Sequence, residues 1–180
     1  MAQCDLRDDF LAIAENVFKL AAAAFIMDAS VTVRTQNSRD EFLLAYYTIS
    51  FLCYGKADPA DLFLGFMMRQ IQLGGYMPEL EKCIACGKPL RIAKNFSIER
   101  GGVYCGKCVG ELTSRPVDPL SIEALRRIVP LDLAQLHSIK LPPIVRNELM
   151  VILPQYAMYH FEWGGRQLKY VIEMYKQINQ

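Results

Sequence analysis

The N-terminal stretch of the chain places apolar residues at the three-and-four spacing that gives an α-helix one apolar face. This pattern runs over residues 5–28. The predicted core face consists of Leu6, Phe10, Ile13, Val17, Leu20 and Ala24, and it is widened by Ala14, Phe18, Ala21 and Phe25. We therefore expect one long helix here, packed at the centre of the fold.

Two further helices are predicted from residues that start and stop helices. The segment 38–41 (Ser-Arg-Asp-Glu) has the form of a capping box, so a helix is expected over 39–54, ended by Gly55. The Asp-Pro pair at 58–59 offers an N-cap and a proline at the first helical position, and the glycines at 74–75 should stop that helix. Three helices joined by short connections are typical of a bundle.

The C-terminal part of the chain repeats these signals. The Asp-Pro pair at 118–119 predicts a short helix, a second short helix is expected over 130–138, and a longer one over 142–163. Pro154 should kink the longer helix, because proline lacks a backbone N–H and clashes with the preceding turn. A terminal helix should follow the glycines at 164–165. Its predicted core face consists of Leu168, Val171, Ile172, Tyr175 and Ile178.

Helical periodicity disappears over residues 78–116, where glycines and four of the six cysteines collect. Short apolar segments at 96–98 and 103–104 flank an Arg-Gly-Gly turn at 100–102. Apolar segments on either side of such a turn predict a β-hairpin. We therefore expect a small unit inserted between the helices.

The length and composition fit one folded domain. The chain has 180 residues, 52% of them hydrophobic, which excludes a disordered chain and falls within the ~100 to 200 residues of a single domain. The predicted fold is mostly α, a helical bundle with an inserted small β zinc-ribbon unit. We expect one domain over 1–180, with a helical part at 1–77 and 117–180 and the zinc ribbon at 78–116.

Two Cys-x-x-Cys pairs carry the clearest chemical signal in the sequence. Cys83 and Cys86 form the first pair, and Cys105 and Cys108 form the second after a spacer of eighteen residues. Spacers of ~15 to 20 residues between such pairs are typical of zinc sites. Each pair brings two thiolates to one ion, and four thiolates complete a closed tetrahedral site. Because no position is left for a catalytic water, we predict one structural Zn²⁺ per chain.

Other uses of the cysteines fit the sequence less well. Disulfides are uncommon in a chain without a secretion signal, and a thioredoxin-like pair would occupy one strand-to-helix junction and not two glycine-rich loops. An iron–sulfur cluster also uses four cysteines, but the even spacing favours a single ion. Outside this set, Cys53 is predicted to be a small buried hydrophobe, and Cys4 lies near the terminus.

The positive charge of the chain is concentrated around these cysteines. The formal net charge is +1, yet residues 1–81 carry −5 and residues 82–115 carry +5. The candidate nucleic-acid-binding residues are Lys82, Lys88, Arg91, Lys94, Arg100 and Lys107. Some of this charge would offset the charge of about −2 on a zinc tetrathiolate, and the surplus suits contacts with phosphates. Charge alone leaves both explanations open.

Several classes of protein are disfavoured by what the sequence lacks. The longest apolar run, 20–27, is well short of the ~18 residues of a membrane helix, and the residues before it are acidic, unlike those of a signal peptide. We expect a cytoplasmic protein. No phosphate-binding loop or hydrolase motif is present, and His137 and His160 lie far from the cysteines and from each other. We expect ordinary core or surface histidines, no enzymatic activity, no small-molecule substrate and no membrane partner.

The chain resembles the zinc region of the bacterial DNA repair protein RecO family in three ordered motifs. These are Gly75-Tyr-Met-Pro-Glu-Leu-Glu-Lys-Cys83-Ile-Ala-Cys86-Gly87, then Phe96-Ser97, then Gly101-Gly102-Val-Tyr-Cys105-Gly-Lys-Cys108. The segment 6–28 is also similar to the first helix that follows the N-terminal barrel in that family. The resemblance therefore covers nearly the whole chain.

This resemblance implies a recombination mediator that acts without covalent catalysis. Family members help to load RecA onto single-stranded DNA covered by single-stranded-DNA-binding protein, act with RecR, and anneal complementary strands. The family also implies a nucleoid-associated protein. In that family an OB-fold at the N-terminus precedes the helices and carries much of the DNA and RecR binding, and this chain is expected to begin after it.

The resemblance also implies an apolar groove, edged by basic side chains, for the acidic and apolar tail of the single-stranded-DNA-binding protein. Possible edges are Arg126, Arg127, Arg146 and Arg166, although for each of them taken singly we expect an ordinary solvated surface charge. Two functions remain in view: a mediator that binds single-stranded DNA and partner proteins, and a protein-only interaction module. A thiol redox protein is a third possibility, and it requires an accessible cysteine pair of low pKa.

Overall fold

The computed structural model describes residues 9–32, 38–109, 114–161 and 165–179, which form a helical part and one small sheet. The helices are α1 (Val17–Thr32), α2 (Ser38–Tyr54), α3 (Pro59–Leu73), α4 (Pro119–Ile128), α5 (Pro143–His160) and α6 (Gly165–Ile178). The strands are β1 (Asn95–Ser97), β2 (Gly102–Tyr104) and β3 (Arg115–Pro116), and the segments Leu11–Glu15 and Leu133–Ser138 form 3₁₀ turns. The predicted mostly α bundle with a small β unit is confirmed. None of the described helices is long and apolar enough to cross a membrane.

The first helix begins later than the sequence pattern predicts. Leu11–Glu15 forms a 3₁₀ turn, and the backbone of Asn16 is extended. Asn16 Oδ1 accepts a hydrogen bond from the Lys19 N–H at 3.0 Å, so this side chain caps the first turn of α1. The expected continuous helix over 5–28 is therefore wrong before Asn16, and its first four residues, 5–8, lie outside the described part of the chain.

The core face of α1 agrees with the predicted face only in part. Phe18, Ala21 and Phe25, which widen the predicted face, are buried. Val17, Leu20 and Ala24 were expected inside, yet all three are exposed. The buried residues of α1 are Phe18, Ala21, Ala22, Phe25, Ile26 and Ala29. Because α1 is apolar around most of its circumference, periodicity alone cannot tell its core face from its solvent face.

The predicted caps of α3 and α4 are confirmed, and α2 ends where the sequence predicts. α2 is followed by Gly55, as expected. α3 begins after Asp58, whose carboxylate accepts a hydrogen bond from the Ala60 N–H at 2.9 Å, and it ends at Gly74. Asp118 caps α4 in the same way. Short polar side chains at these starts satisfy N–H groups that have no partner inside the helix.

Two C-terminal helices are shorter than predicted. The segment 130–138 does not form an α-helix, and its last six residues form the second 3₁₀ turn, a conformation typical of such short pieces. α5 ends at His160, because Phe161 has an extended backbone, and Trp163 lies outside the described residues. α5 continues through Pro154, which is buried.

The predicted core face of α6 is confirmed in part. Leu168, Val171 and Tyr175 are buried, and Ile172 is partly buried against the core. Met174 joins this face, although the sequence pattern did not single it out. Ile178, in the last turn, is half exposed.

An ion pair buried between α3 and α5 joins the central helices. Arg146 Nε donates to Asp61 Oδ1 at 2.6 Å, and Arg146 Nη2 donates to Asp61 Oδ2 at 3.0 Å. Asp61 Oδ2 also accepts a hydrogen bond from the Leu141 N–H. This carboxylate raises the pKa of Arg146 above its ordinary value. Arg146 is therefore neither a solvated surface charge nor a free edge of a docking groove.

The predicted β-hairpin is confirmed, and a third strand joins it. β1 pairs antiparallel with β2, with Phe96 opposite Val103. β3 pairs antiparallel with the other side of β1, which gives the strand order β2-β1-β3. β3 was not predicted because a strand of two residues has no alternation of apolar and polar positions to detect.

The sheet and the helices share one hydrophobic core. Leu80, Phe96 and Val103 belong to the same buried cluster as the helix residues. The ring of Phe96 lies 5.9 Å from the ring of Tyr156 in α5, and the Tyr156 hydroxyl donates a hydrogen bond to the Tyr76 carbonyl at 2.8 Å. These contacts fix the position of the cysteine-bearing unit, residues 78–109 and 114–116, against the helical part.

Candidate metal centre and basic surface

Backbone pairing brings the two Cys-x-x-Cys turns together. The Val103 N–H in β2 donates to the Glu79 carbonyl at 3.0 Å, and the Val103 carbonyl accepts a hydrogen bond from the Ile84 N–H at 3.0 Å. The first cysteine turn thus lies along β2, which leads directly into Cys105. Gly102 permits this approach, because a Cβ there would lie 2.5 Å from Ile84 Cγ2 and 2.9 Å from the Glu79 carbonyl oxygen.

Each cysteine turn is closed by its own backbone hydrogen bonds. In the first turn, the Gly87 N–H donates to the Cys83 carbonyl at 2.8 Å, and the Cys83 N–H donates to the Lys88 carbonyl at 2.9 Å. In the second turn, the Cys108 N–H donates to the Cys105 carbonyl at 3.0 Å. These bonds orient both pairs of side chains toward a common point.

The four predicted metal ligands lie in one cluster. The sulfur atoms of Cys83, Cys86, Cys105 and Cys108 are all within 4.8 Å of one another. The sulfur atoms of Cys86 and Cys105 are 3.9 Å apart. A tetrahedral ion with metal–sulfur bonds of about 2.3 Å holds its ligands about 3.8 Å apart. The cluster could therefore hold a single metal ion.

The thiol groups of this cluster have unequal pKa values. Burial opposes ionisation of Cys83, but hydrogen bonds from the backbone N–H groups of Cys105, Cys86 and Ala85 outweigh it and lower the pKa of Cys83 to about 6. A hydrogen bond with Cys108 lowers the pKa of Cys105. The same bond, together with one to Cys86, raises the pKa of Cys108 to about 12. Thiolates this close together repel one another, so a bound cation would favour ionisation of all four.

The cluster is buried on one side and open to solvent on the other. Cys83 is 1% exposed, whereas Cys86 is exposed. Four thiolates suit soft or borderline metal ions, and a closed set of four protein ligands leaves no position for a catalytic water. This donor set is suited to holding the two turns together.

All six predicted nucleic-acid-binding side chains are exposed. They are Lys82, Lys88, Arg91, Lys94, Arg100 and Lys107. Lys82 and Lys88 flank the first cysteine turn and Lys107 lies within the second, while Arg100 lies in the hairpin turn at the opposite end of β2. Within the described residues, none of the six forms a salt bridge. Cations without a salt-bridge partner among the described residues therefore occur at both ends of the hairpin.

Arg126 of α4 anchors the cysteine-bearing unit to the helices. Its Nη2 donates to the Leu80 and Leu90 carbonyls at 2.6 Å each, its Nε donates to the Leu80 carbonyl at 3.1 Å, and its Nη1 donates to the Arg91 carbonyl at 3.0 Å. The side chain is only 12% exposed, so Arg126 is neither a solvated charge nor a free groove edge. No local sequence signal identifies this role, because the partners lie 35 to 46 positions away.

Arg127 edges an apolar groove between α4 and the start of α5. The groove encloses about 330 Å³, and its apolar lining includes Leu120, Ala124, Ile128, Leu131, Leu141 and Val145. Lys140 is a second basic edge, which the sequence analysis missed. Glu123 also lines the groove and pairs with Arg127 at 3.2 Å. Arg166 is exposed on α6 and does not line it.

The other candidate residues take the structural roles that the sequence indicates. Cys53 is buried. His137 is exposed, and His160 Nε2 forms a hydrogen bond with the Ile98 carbonyl at 2.7 Å. Neither histidine belongs to the cysteine cluster. Cys4 lies outside the described residues.

Comparison with known proteins places this architecture in a family. The family described as "Recombination protein O C terminal" matches residues 14–169. The DNA repair protein RecO of Alkaliphilus metalliredigens is 24% identical over 163 residues, which cover 89% of this chain and 66% of the relative. RecO of Desulforamulus reducens is 23% identical over 180 residues, covering 98% and 70%, and RecO of Pelotomaculum thermopropionicum is 27% identical over 166 residues, covering 90% and 64%.

The chain spans about two thirds of the length of these curated relatives. The family match includes most of the helical part and all four clustered cysteines. Since a match of this extent covers well over half of the chain, the protein belongs to the RecO C-terminal family of DNA repair proteins.

Proposed function

We propose that the chain is a RecO-type mediator of DNA repair and homologous recombination, a zinc-stabilised helical adaptor that binds single-stranded DNA and recombination proteins. The observation that carries this proposal is the set of six exposed basic side chains in the cysteine-bearing unit of a RecO-family chain. Contacts to phosphates require exposed cations and no catalytic group. The role is therefore non-catalytic, and it belongs at the bacterial nucleoid.

The proposed metal is one structural Zn²⁺ per chain, held by Cys83, Cys86, Cys105 and Cys108. A closed set of four thiolates is typical of structural zinc, and the bound ion would link the two cysteine turns. Lys82, Lys88 and Lys107 lie beside the ligands and offset the charge of about −2 that the tetrathiolate carries. Arg91, Lys94 and Arg100 lie farther along the unit and are the candidates for contacts with phosphates.

Salt-dependent binding of single-stranded DNA is the direct test. If Arg91, Lys94 and Arg100 all contact phosphates, log K should fall with log salt at a slope of about −2, or about 20-fold between 50 and 200 mM salt. Fluorescence anisotropy with a labelled oligothymidine measures this slope. Arg100→Glu should weaken binding and reduce the slope by about 0.7, because one phosphate contact is lost.

Lys169→Glu is the matched control for this experiment. Lys169 is an exposed cation on α6, so its reversal changes the net charge of the chain by the same amount without touching the cysteine-bearing unit. We expect binding by Lys169→Glu to stay close to that of the parent chain. Equal binding by Arg100→Glu, Lys94→Glu and the parent would refute the DNA part of the proposal.

The groove between α4 and α5 is the proposed docking site for the tail of single-stranded-DNA-binding protein. An acidic, apolar tail would place its apolar side chains against Leu120 and Ile128 and its carboxylates near Arg127 and Lys140. Such charge pairing sets specificity and orientation more than it sets affinity. RecR is the second proposed protein partner, and no groove is assigned to it.

A labelled peptide with an acidic, apolar C-terminus tests this docking site. Lys140→Glu should weaken binding of the peptide, whereas Lys169→Glu should leave it unchanged. Peptide binding without any DNA binding would favour the alternative function, a protein-only interaction module. Saturable binding of the peptide that Lys140→Glu does not weaken would indicate that the tail docks elsewhere on the protein.

A further inference from the structure

Three tyrosine rings contact His160 at the end of α5. The ring centroids of Tyr156, Tyr159 and Tyr76 lie 4.3, 5.0 and 5.7 Å from that of His160. Tyr76 also packs edge-on against the ring of Phe161 at 4.8 Å. Tyr156 is buried, whereas Tyr76 and Tyr159 are 45% and 59% exposed. This aromatic cluster therefore has a buried part and two rings in contact with solvent.

Hydrogen bonds fix the buried part of the aromatic cluster. His160 Nε2 lies 2.7 Å from the Ile98 carbonyl oxygen. Because a carbonyl oxygen only accepts hydrogen bonds, Nε2 carries the proton and donates it. The Tyr156 hydroxyl donates to the Tyr76 carbonyl at 2.8 Å. Aromatic faces that are already held in place lose little conformational freedom when another ring stacks on them.

The hairpin turn that contacts this cluster carries an exposed cation. Arg100 lies two residues after Ile98 and directly before Gly101. The turn lies against the cluster, since a Cβ on Gly101 would be 2.9 Å from the Tyr156 hydroxyl. Among the described residues, Arg100 has no salt-bridge partner. Glu99 is exposed in the same turn, so a contact with a polyanion here needs a contribution besides charge.

We propose that the exposed rings of Tyr76 and Tyr159 stack on bases of single-stranded DNA, next to a phosphate that Arg100 contacts. Surfaces that bind single strands combine cations for the backbone with aromatic rings for the bases. Each stacked base strengthens binding by about 5-fold to 100-fold. Bases inside a duplex already stack on one another, so the rings would favour single strands.

This inference rests on the proposed DNA-binding function, because it names the part of the DNA that the hairpin-turn end of the sheet recognises. The tyrosine hydroxyl groups fit this occupant as well. Each lies at the edge of an aromatic face, and the edges of bases carry hydrogen-bond donors and acceptors that such a group can meet.

Two labelled strands of equal length and charge separate stacking from phosphate contacts. One is oligothymidine, and the other has the same phosphodiester backbone with an abasic residue in place of each thymidine. We expect the parent chain to bind oligothymidine at least about fivefold more tightly than the abasic strand. Fluorescence anisotropy with the full chain, at two salt concentrations, measures both affinities and both salt slopes.

Substitutions in the aromatic cluster locate the stacked bases. Tyr76→Leu and Tyr159→Leu should each weaken binding of oligothymidine by about fivefold or more, because leucine keeps apolar volume but has no aromatic face. Binding of the abasic strand and the salt slope should stay unchanged. Tyr159→Phe should keep the parent's preference, since phenylalanine retains the ring. The two replaced side chains are largely exposed, so thermal midpoints should stay close to that of the parent.

Two further variants serve as controls. Tyr170→Leu is the matched one, because Tyr170 is 52% exposed on α6 and has no ring contact with the aromatic cluster among the described residues. It should bind both strands as the parent does. Arg100→Glu should weaken binding of both strands by the same factor and reduce both salt slopes, because it removes a phosphate contact and no stacking surface.

The outcomes distinguish failure of this inference from failure of the proposed function. Salt-sensitive binding of both strands with equal affinity would overturn the inference alone. A preference for oligothymidine that Tyr76→Leu and Tyr159→Leu preserve would also overturn it, since the bases would then be bound elsewhere. So would equal losses in Tyr159→Phe and Tyr159→Leu, which would assign the contact to the hydroxyl group. No binding of either strand would refute the DNA-binding function and this inference together.

Discussion

Replacing Arg126 with Met should release the cysteine-bearing unit from the helical part. The methionine side chain retains much of the apolar stem but none of the donors. Four hydrogen bonds to the Leu80, Leu90 and Arg91 carbonyls are lost. These carbonyls precede and follow the first cysteine turn, so Arg126 holds both ends of that turn against α4.

The magnitude follows from the exposure of the three carbonyl-bearing residues. Arg91 is exposed, so water can replace the guanidinium at its carbonyl at little cost. Leu80 is buried and Leu90 is partly buried, so those two carbonyls lose a charged donor without an equal substitute. At about 1.5 kcal/mol for each of these two carbonyls, the free energy of unfolding should fall by about 3 kcal/mol. For a chain of this length, the thermal midpoint should fall by about 6 to 12 °C.

The assay pairs thermal unfolding with the rate at which a chelator removes zinc. Arg127→Met is the matched control, because Arg127 is a neighbouring arginine whose side chain is 78% exposed and bonds only Glu123 among the described residues. Removal of the ion pair between Arg127 and Glu123 should lower the free energy of unfolding by at most about 0.5 kcal/mol. The Arg126 variant should also lose zinc faster than the control. A midpoint and a zinc-release rate equal to those of Arg127→Met would refute the reasoning.

Three other perturbations test separate parts of the structure. Cys105→Ser should abolish zinc binding and make the cysteine-bearing unit more sensitive to proteolysis, while the helical circular dichroism signal largely remains. Full zinc retention in metal analysis would contradict the assignment of Cys105 as a ligand. Gly101→Ala should lower the free energy of unfolding by about 1 to 2 kcal/mol, because Gly101 has φ +66° and a Cβ there would lie 2.9 Å from the Tyr156 hydroxyl. Gly106→Ala is the control, since a Cβ there meets open space, and it should lower the free energy of unfolding far less in the same denaturant titration. Burial raises the pKa of Tyr156 to about 12, so its contribution to stability is complete below its ordinary pKa near 10 and is lost as pH rises through 12. Tyr156→Phe should therefore lose less stability than the parent over this pH range. An equal loss in both proteins would show that ionisation of Tyr156 is not the cause.

The cysteine cluster is a feature that local sequence could predict. The spacing of Cys83, Cys86, Cys105 and Cys108 predicted a four-cysteine site, and the structure brings their sulfur atoms within 4.8 Å. The clustering was predictable because each Cys-x-x-Cys turn is a local structure that depends on few outside contacts. The helix caps at Asp58 and Asp118 were predictable for the same reason, since a cap bonds N–H groups two or three residues away.

Such local patterns could not predict hydrogen-bond partners that lie far along the chain. Arg126 and Arg146 were read as surface charges, yet each bonds to groups far along the chain. An arginine on a helix gives the same sequence signal whether it meets water or a buried acceptor. The strand β3 was missed because its two residues become a strand only by pairing with β1.

The sequence by itself determined the helical class, most helix starts and stops, the hairpin and the four-cysteine cluster, because these depend on neighbours within a few residues. Only the tertiary structure decided which face of α1 is buried. Phe18 and Phe25 pack inside while Leu20 and Met27 remain outside, although all four are apolar. Burial of a helix face depends on which other elements cover it, and no local spacing specifies that when the helix is apolar on both sides. The anchoring role of Arg126 was decided in the same way, by contacts between distant segments.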